Sequence, residues 1–471
     1  VFGRGTVNPQ GRGMLPEGQG IFADRDFLSD RYAHTARLVS EPYNAVFQSN
    51  SWGTSPTQYY RTVSAELDDI VFLNDILILQ SQSNTGSRLS RPEAWAKNVV
   101  SVGGIYHYGT ANFDDDRWNN GASHGPAADG RIKPDLAHFN DGIFTTSKAS
   151  DSSYTDFTGT SAATPVTAGH FGIFYQMWHN SAFDNEVGAT VFESRPHLTT
   201  AKAMMINTAE QWNMNVAGTD IEREHQGFGR VSLTNLNDLR EKMLIVDETD
   251  VLTEFGSKTY FIPVVSGTED PLKVTMAYAD PAGNPASEIA TVNDIDLKVT
   301  APDGTVYWGN VGLGIGGGMW SQPGGEPNTV DTVENVFIED PMPGVWRIEV
   351  IAAELNQDAR PETPDVTDAD FALVASGIAR VVPTSATTSV AGRVVTANGR
   401  GINLATLTLT DQAGNIRRTR TGPFGYFRFD EVPVGGSYVL DVSAKRYDFE
   451  PSSRFIIADG DMAEISMIAE P

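Results

Sequence analysis

The first half of the chain combines two kinds of hydrophobic pattern. Apolar residues run together at 76–79 and again within 98–103, and short runs of this kind are typical of strands buried on both faces. Before the first run, Tyr60, Val63, Leu67 and Ile70 recur at helical spacing. Buried strands separated by helices predict a parallel α/β sheet for residues 1–245.

Beyond residue 245 the pattern changes to short strand-like segments separated by Pro, Gly and Asn or Asp turns. Segments 273–278, 297–300 and 345–350 are of this kind, and residues 302–304 read Pro-Asp-Gly, a strong turn signal. We therefore predict an all-β sandwich over residues 246–380.

A second all-β unit is predicted after a linker at 381–389. Leu407 and Leu409 alternate with threonines, and Tyr438, Leu440 and Val442 repeat the same period of two. Residues 390–471 are thus expected to form a smaller sandwich, which gives three domains in all.

Composition excludes several classes of function. The 60 Asp and Glu residues outnumber the 34 Lys and Arg residues, so the formal net charge is −26, which argues against nucleic-acid or anionic-membrane partners. The chain has no cysteine, which excludes disulfides and thiolate metal sites. No apolar run approaches the roughly 18 residues of a membrane span. Because the chain starts at Val1 without a signal peptide, we expect it to begin within a longer protein or to have lost a leader.

The most specific stretch is residues 159–165, which read Gly-Thr-Ser-Ala-Ala-Thr-Pro and precede an apolar helical pattern up to Trp178. The pattern places Ser161 in the first turn of a buried helix, and Pro165 also fits a first turn. There the backbone N–H of Ser161 and the helix dipole would favour an anion, as an acyl-transfer nucleophile requires. The alternative is a serine or threonine that caps an ordinary helix.

Four further stretches share an order with this motif, and together they resemble the subtilase family of serine peptidases. They are the polar turn at 50–53, the strand and loop at 76–86, the Gly-Pro segment at 125–135, and the closing helix and Gly-rich turn at 201–209 and 226–231. The resemblance covers most of residues 1–243. It implies a subtilisin-like parallel-sheet domain that cleaves protein or peptide substrates.

The resemblance also assigns roles to individual residues. It implies that Ser161 is the nucleophile and that the amide of Asn84 donates to the developing oxyanion. It further implies that two segments form the walls of the pocket for the residue before the cut bond: Ser51, Trp52 and Gly53, and Ser81, Gln82 and Ser83. Ordinary loop residues are the alternative, and the family usually has small residues where Gln82 and Ser83 stand.

The family's catalytic Asp and His are not recognisable in the sequence. The eight histidines lack the expected context, and we interpret each as a surface or core residue: His34, His107, His124, His138, His170, His179, His197 and His225. Residues 8–19 resemble what the family has just after its active-site histidine helix. We therefore expect Asp and His to lie in a missing upstream segment and the chain as printed to be nearly inactive. The alternative is a non-catalytic pseudopeptidase that acts as a binding or adhesion protein.

The two downstream domains also resemble known modules. Residues 246–380 are similar to the jelly-roll sandwich that follows some bacterial subtilase domains, and residues 390–471 to carboxypeptidase-regulatory-like domains of transthyretin type. No cofactor is expected, although Asp294 and Asp296 alternate along a strand and could help bind a structural Ca²⁺. The resemblance implies a secreted, extracellular bacterial enzyme. Oligomeric state and cleavage preference stay open.

Overall fold

A computed structural model describes most of the chain. The described residues are 1–118, 121–212, 223–265, 270–314, 316–360, 362–363, 366–379, 387–411, 415–433, 436–449, 452–458 and 462–470. They form two compact units, Val1–Thr259 with Val264–Ile378, and Tyr260–Pro263 with Ala379–Pro471. Among these residues no helix is both long and apolar enough to cross a membrane.

The first unit begins with an α/β layer. Its helices are α1 (Arg31–Val39), α2 (Thr62–Asn74), α3 (Thr160–His179), α4 (Leu198–Asn207), α5 (Arg223–Gln226) and α6 (Leu233–Leu239). Its strands are β1 (Phe47–Asn50), β2 (Leu77–Ser81), β3 (Val100–Ile105), β4 (Leu136–Phe139), β5 (Ile143–Thr146) and β6 (Tyr154–Phe157). Strands β1 to β4 form a parallel sheet in that order, which confirms the predicted parallel α/β fold.

The small residues of α3 let the helix pack closely against its neighbours. Ala162, Ala163 and Ala168 are fully buried, and α3 contacts all four strands of the parallel sheet. A methyl group added at Gly169 would lie 2.7 Å from the sulfur of Met14. The N-terminal segment therefore lies against the same helix that carries Ser161.

A β-sandwich follows the α/β layer and belongs to the first unit, apart from Tyr260–Pro263 of its second strand. Its strands are β7 (Met243–Thr253), β8 (Ser257–Val264), β9 (Leu272–Ala277), β10 (Asp294–Thr300), β11 (Val306–Trp308), β12 (Val333–Ile338), β13 (Gly344–Glu354) and β14 (Asp368–Ser376). They form two four-stranded antiparallel sheets, ordered β11-β10-β13-β8 and β12-β9-β14-β7. This architecture agrees with the all-β expectation.

The sandwich and the α/β layer share one hydrophobic core. Phe337 and Val374 of the sandwich belong to the same buried cluster as Met204 of α4. Strand β7 begins at Met243, before the boundary expected at residue 245. The three-domain division stays a prediction, and the structure shows its first two members packed as one compact body.

The second unit is a smaller sandwich. Its strands are β15 (Thr387–Thr396), β16 (Thr406–Asp411), β17 (Ile416–Arg420), β18 (Tyr426–Pro433), β19 (Ser437–Ser443), β20 (Ser453–Ile457) and β21 (Met462–Ala469). Leu407, Leu409, Leu440 and Val442 are buried, as their alternation predicts. Of the expected linker, residues 381–386 lie outside the described residues, and the last three residues belong to β15.

Candidate active site

Ser161 is the second residue of α3, which begins at Thr160 after Gly159. The sequence thus predicted the helix start correctly, but it placed Pro165 too close to that start. Pro165 is the sixth residue of the helix. Because proline has no N–H, it cannot donate to the carbonyl four residues earlier, which is the carbonyl of Ser161.

Ser51 makes up for this missing hydrogen bond. The Ser51 hydroxyl donates to the Ser161 carbonyl at 2.9 Å. In return the Ser161 hydroxyl donates to the Ser51 carbonyl at 3.2 Å. The residues are 110 positions apart, so this reciprocal pair joins the end of β1 to the start of α3. It sets the position of the Ser161 side chain next to the 51–53 segment.

Asn84 lies beside the first turn of α3. Its side-chain oxygen accepts the backbone N–H of Thr160 at 2.9 Å and the Thr160 hydroxyl at 3.2 Å. The Thr160 oxygen also accepts the N–H of Ser83 at 3.2 Å. These bonds fix the Asn84 oxygen on the helix, so the NH₂ group is the part of the amide left to donate. Within the described residues, neither this NH₂ group nor the Ser161 N–H is hydrogen-bonded.

Gly159 allows the amide of Asn84 to come this close. Its φ of 85° lies in the left-handed region, where residues with a Cβ are strained. A Cβ there would also meet both terminal atoms of the Asn84 amide at 3.0 Å. A glycine at this position is therefore required by both the backbone and the neighbouring side chain.

Ser81, Gln82 and Ser83 are all buried. Ser83 has a φ of 131°, a value that favours glycine. Both amide atoms of Gln82 and the hydroxyl of Ser81 are buried without a hydrogen-bond partner in the described part of the chain. Buried polar groups of this kind are usually satisfied by water, so this wall is polar rather than apolar.

The other predicted wall, Ser51 to Gly53, is held by long side chains. The Gln80 amide donates to the Trp52 carbonyl at 2.5 Å. The Gly53 carbonyl accepts from the guanidinium groups of Arg25 at 3.2 Å and Arg91 at 3.0 Å. The sequence did not predict either arginine here, because neither belongs to a recognisable motif.

No histidine of the described residues is hydrogen-bonded to Ser161. His138 of β4 and His170 of α3 lie near each other in the interior, with ring centroids 5.2 Å apart. Burial holds the pKa of His138 well below its usual value and also lowers the pKa of His170. Both rings are therefore neutral core residues at neutral pH.

Two other histidines contact carboxylates. The Nδ1 of His107 lies 2.7 Å from Asp141. His197, at the N-terminus of α4, lies 3.1 Å from Asp75 and 2.9 Å from Glu248. Hydrogen bonds to these two carboxylates raise the pKa of His197 to about 11, so it is a cation at neutral pH and joins α4 to its neighbours.

Asp294 and Asp296 both lie on β10, as predicted. Burial raises the pKa of Asp294 to about 6, and burial together with Asp294 raises the pKa of Asp296 to about 7. In the described part of the chain, no group of three or more His, Cys, Asp or Glu side chains is arranged to hold a metal ion. Calcium binding here stays a prediction.

Two matches to family models agree with this geometry. Residues 22–229 match the model described as the subtilase family, and residues 389–467 match the carboxypeptidase regulatory-like domain. The first range contains Ser161, Asn84 and both predicted walls. The chain therefore carries a subtilase-family serine protease domain followed by a carboxypeptidase regulatory-like domain.

Among curated proteins, the serine protease/ABC transporter B family protein tagA of Dictyostelium discoideum is 28% identical in a match of 212 residues. The match covers 40% of this chain and 12% of that relative. The chain thus spans about an eighth of that protein's length. Solved structures include the prenylagaramide maturation protease PagA, with a TM-score of 0.34, 14% identity and coverage of 47% of this chain and 69% of that chain. Another is the patellamide maturation protease PatA, with a TM-score of 0.36, 16% identity and coverage of 51% and 80%.

Proposed function

We propose that the protein is a serine endopeptidase that cleaves protein or peptide substrates through an acyl-enzyme on Ser161. The observation that carries the proposal is the position of Ser161 at the start of α3, with the Asn84 amide beside it and a backbone N–H that has no hydrogen-bond partner among the described residues. Such a pair of donors can stabilise an oxyanion. The His and Asp of the triad are supplied by a segment outside the printed sequence.

The reaction follows from this arrangement. The Ser161 oxygen attacks the substrate carbonyl carbon while its proton passes to the histidine. The carbonyl oxygen becomes an oxyanion, which the Ser161 N–H and the Asn84 NH₂ group stabilise. The C–N bond then breaks, and the amine leaves with the proton from the histidine. In the second half of the reaction water takes the place of the serine as nucleophile. It passes a proton to the histidine as it attacks the acyl carbon, and the Ser161 oxygen leaves with the proton from the histidine.

In this proposal the segments 51–53 and 81–83 form the walls of the pocket for the residue before the cut bond. The reciprocal pair between Ser51 and Ser161 supports the first wall. The bond from Ser83 to Thr160 supports the second, because it ties that segment to the helix start. Before attack, the Ser161 hydroxyl must leave the Ser51 carbonyl and turn to the histidine.

The test uses the longer protein that includes the upstream segment. A fluorophosphonate probe should label Ser161, as peptide mapping by mass spectrometry would show, and the protein should cleave unfolded casein. Ser161→Ala should abolish both signals, and Asn84→Ala should lower kcat by about 10²–10³-fold. Ser466→Ala, at an exposed serine of the second unit, is the matched control. Cleavage by the Ser161→Ala variant would refute the assignment.

The same experiment separates the enzyme from a non-catalytic binding protein. The observation that favours the binding protein is that the Ser161 hydroxyl donates to a backbone carbonyl and contacts no histidine of the described residues. If the longer protein neither reacts with the probe nor cleaves casein, the result would favour a non-catalytic binding protein over a peptidase.

Secretion and structural calcium are also part of the proposal. Secretion is supported by the family resemblance, and detection of the protein in culture medium would test it. Calcium is supported by the alternation of Asp294 and Asp296 on β10. It predicts a higher melting temperature in Ca²⁺ than in EDTA, and loss of that difference in Asp296→Asn.

A further inference from the structure

Three arginines surround the 51–53 segment of this otherwise acidic protein. The guanidinium carbons of Arg25 and Arg31 lie 5.1 and 5.0 Å from the centre of the Trp52 ring, within the range of a cation–π interaction. Arg25 and Arg91 both donate to the Gly53 carbonyl. We call Arg25, Arg31, Arg91 and Trp52 the arginine cluster.

The arginine cluster is only partly neutralised. Among the described residues, its only ion pair is between Arg25 and Asp26 at 3.3 Å, and both side chains are largely exposed. Glu93 lies close by, but both of its oxygens accept the Thr54 N–H, at 2.9 and 3.1 Å. Counted with Asp26, Glu93 and the nearby Glu66, the three arginines are matched in number by carboxylates, but Arg25 and Arg91 donate to the neutral Gly53 carbonyl.

Burial disfavours the charged form of two arginines of the cluster. Burial lowers the pKa of Arg31 despite the nearby Glu66 and Glu93. Burial likewise lowers the pKa of Arg91; Glu93 opposes this shift, and the neighbouring Arg25 adds to it. Arg25 and Arg91 thus repel each other, and a carboxylate bound at Arg25 would relieve this repulsion.

The cluster lies within reach of the nucleophile. Ser51 contacts Ser161, and Gly53 contacts Arg25. Two residues of extended chain span at most about 7 Å, and a four-residue extended peptide spans about 13 Å. A side chain within four residues of the cut bond can therefore reach Arg25 while the scissile carbonyl lies at Ser161.

We propose that the arginine cluster binds an acidic side chain of the substrate, within the four residues before the cut bond. This proposal rests on the proposed peptidase site. The carboxylate replaces the Gly53 carbonyl as the partner of Arg25, since arginine binds carboxylates more strongly than neutral carbonyls. The Gly53 carbonyl then becomes free to accept a backbone N–H of the bound peptide. Recognition of the acid and alignment of the backbone are thereby coupled at one residue.

The test measures peptide binding and does not depend on cleavage. Fluorescein-labelled peptides carry Glu, Gln or Lys at one of the four positions and are titrated by anisotropy into the Ser161→Ala variant of the longer protein. At one position or more, the Glu peptide should bind about 10-fold more tightly than the Gln peptide. The net charge of −26 by itself attracts the Lys peptide and repels the Glu peptide. A preference for Glu would therefore have to come from local contacts at the binding site.

Variants of Arg25 test whether the preference for Glu peptides depends on the arginine cluster. Arg25→Gln should reduce the ratio of Glu to Gln affinity about 3- to 10-fold, and Arg25→Glu should turn the preference toward Lys. Arg25 is exposed, so both variants should fold, which circular dichroism would check. Arg393→Gln is the matched control because Arg393 also lies over an aromatic ring, at 5.2 Å from Tyr426, but in the second unit.

The outcomes separate the two proposals. Equal affinity for Glu and Gln peptides, no binding of either, or a Glu preference that survives in Arg25→Glu would overturn the acidic-substrate proposal. None of these results bears on labelling of Ser161 by the fluorophosphonate probe. Conversely, failure of labelling and of cleavage would refute the peptidase function and leave a Glu preference standing as peptide binding.

Discussion

The two units of this protein differ in whether they bury charged side chains. The first unit buries many charged side chains, among them the pair Lys97 and Asp280, whose side chains are fully inaccessible. In the described residues of the second unit, the buried polar side chains are Thr388, Ser389 and Thr421, and none is charged. Its core cluster consists of hydrophobic residues.

The sequence shows the same contrast. Residues 1–379 carry 24 Lys and Arg against 50 Asp and Glu, whereas residues 380–471 carry ten of each. The charges of residues 380–471 cancel, so the net charge of −26 comes from residues 1–379. Burial of ion pairs is costly unless each partner is fully hydrogen-bonded, so the first unit depends on specific long-range partners. The second unit depends on apolar area alone.

The largest expected effect comes from breaking the buried pair. Lys97 donates to Asp280 at 2.5 Å and to the carbonyls of Pro281 and Ala290 at 2.7 and 2.9 Å. Lys97→Met leaves the Asp280 carboxylate buried without its cation. We expect the first unit to lose about 4 kcal/mol of unfolding free energy, measured by calorimetry as a shift of its transition alone.

Two further variants control this result. Lys258→Met, at the half-exposed pair with Asp250, should cost under about 1 kcal/mol. The double variant Lys97→Met with Asp280→Asn should recover part of the loss, because it removes the stranded charge. A loss no larger than that of Lys258→Met would contradict the role given to the buried pair.

The second unit should respond instead to loss of apolar volume. Leu407 of β16 is fully buried, and Leu407→Ala removes three carbon atoms from a core without buried charges. We expect a loss of about 3 kcal/mol, confined to the transition of the second unit. Leu404→Ala, at a leucine that is 64% exposed, should change little. Equal effects of the two variants would contradict the assigned packing.

These differences explain which features the sequence could predict. The runs at 76–79 and 98–103, the start of α3 at Thr160 and the alternation of Leu407 and Leu409 depend on neighbours in the chain, so local patterns reveal them. The partner of Lys97 is 183 positions away, and the pair Ser51 and Ser161 is 110 positions apart. No periodicity specifies such contacts.

The candidate site divides in the same way. Ser161, Asn84 and the two wall segments belong to ordered motifs and could be named in advance. Arg25 and Arg31 precede the first motif and carry no pattern that connects them with Trp52. The boundary expected at residue 245 falls within β7, because the sandwich packs on α4 and both regions share one core. The hydrophobic pattern of a sequence shows where the fold class changes, but it does not show whether the two parts share a hydrophobic core.

A smaller effect is expected at Lys273, where the first unit buries a cation without an ion pair among the described residues. Its ammonium donates to the Ala209 carbonyl at 3.1 Å, and burial, reinforced by Arg223, lowers its pKa to about 7. In the unfolded chain the pKa is about 10.4. Between these values the unfolded state holds more protons, so the free energy of unfolding rises with pH.

Lys273→Met removes both the cation and this dependence. We expect it to gain about 1 kcal/mol at pH 7, with an advantage over the wild type that shrinks as the pH rises toward 10. Melting temperatures at pH 6, 7, 8 and 9 measure the difference, and Lys258→Met should follow the wild type throughout. An advantage that grows with pH would show that Lys273 is charged and stabilising.

The smallest effect is expected where the second unit has an ion pair at its surface. Arg428 and Asp430 contact each other on β18, with side chains 58% and 67% exposed. Water screens such a pair, and ordering two long side chains offsets the attraction. Arg428→Gln should therefore change the unfolding free energy by under about 0.5 kcal/mol. The unfolding free energies of the variant and the wild type should respond equally to added salt. A larger loss would mean that the second unit also depends on specific charge partners, and the contrast with the first unit would then be one of degree.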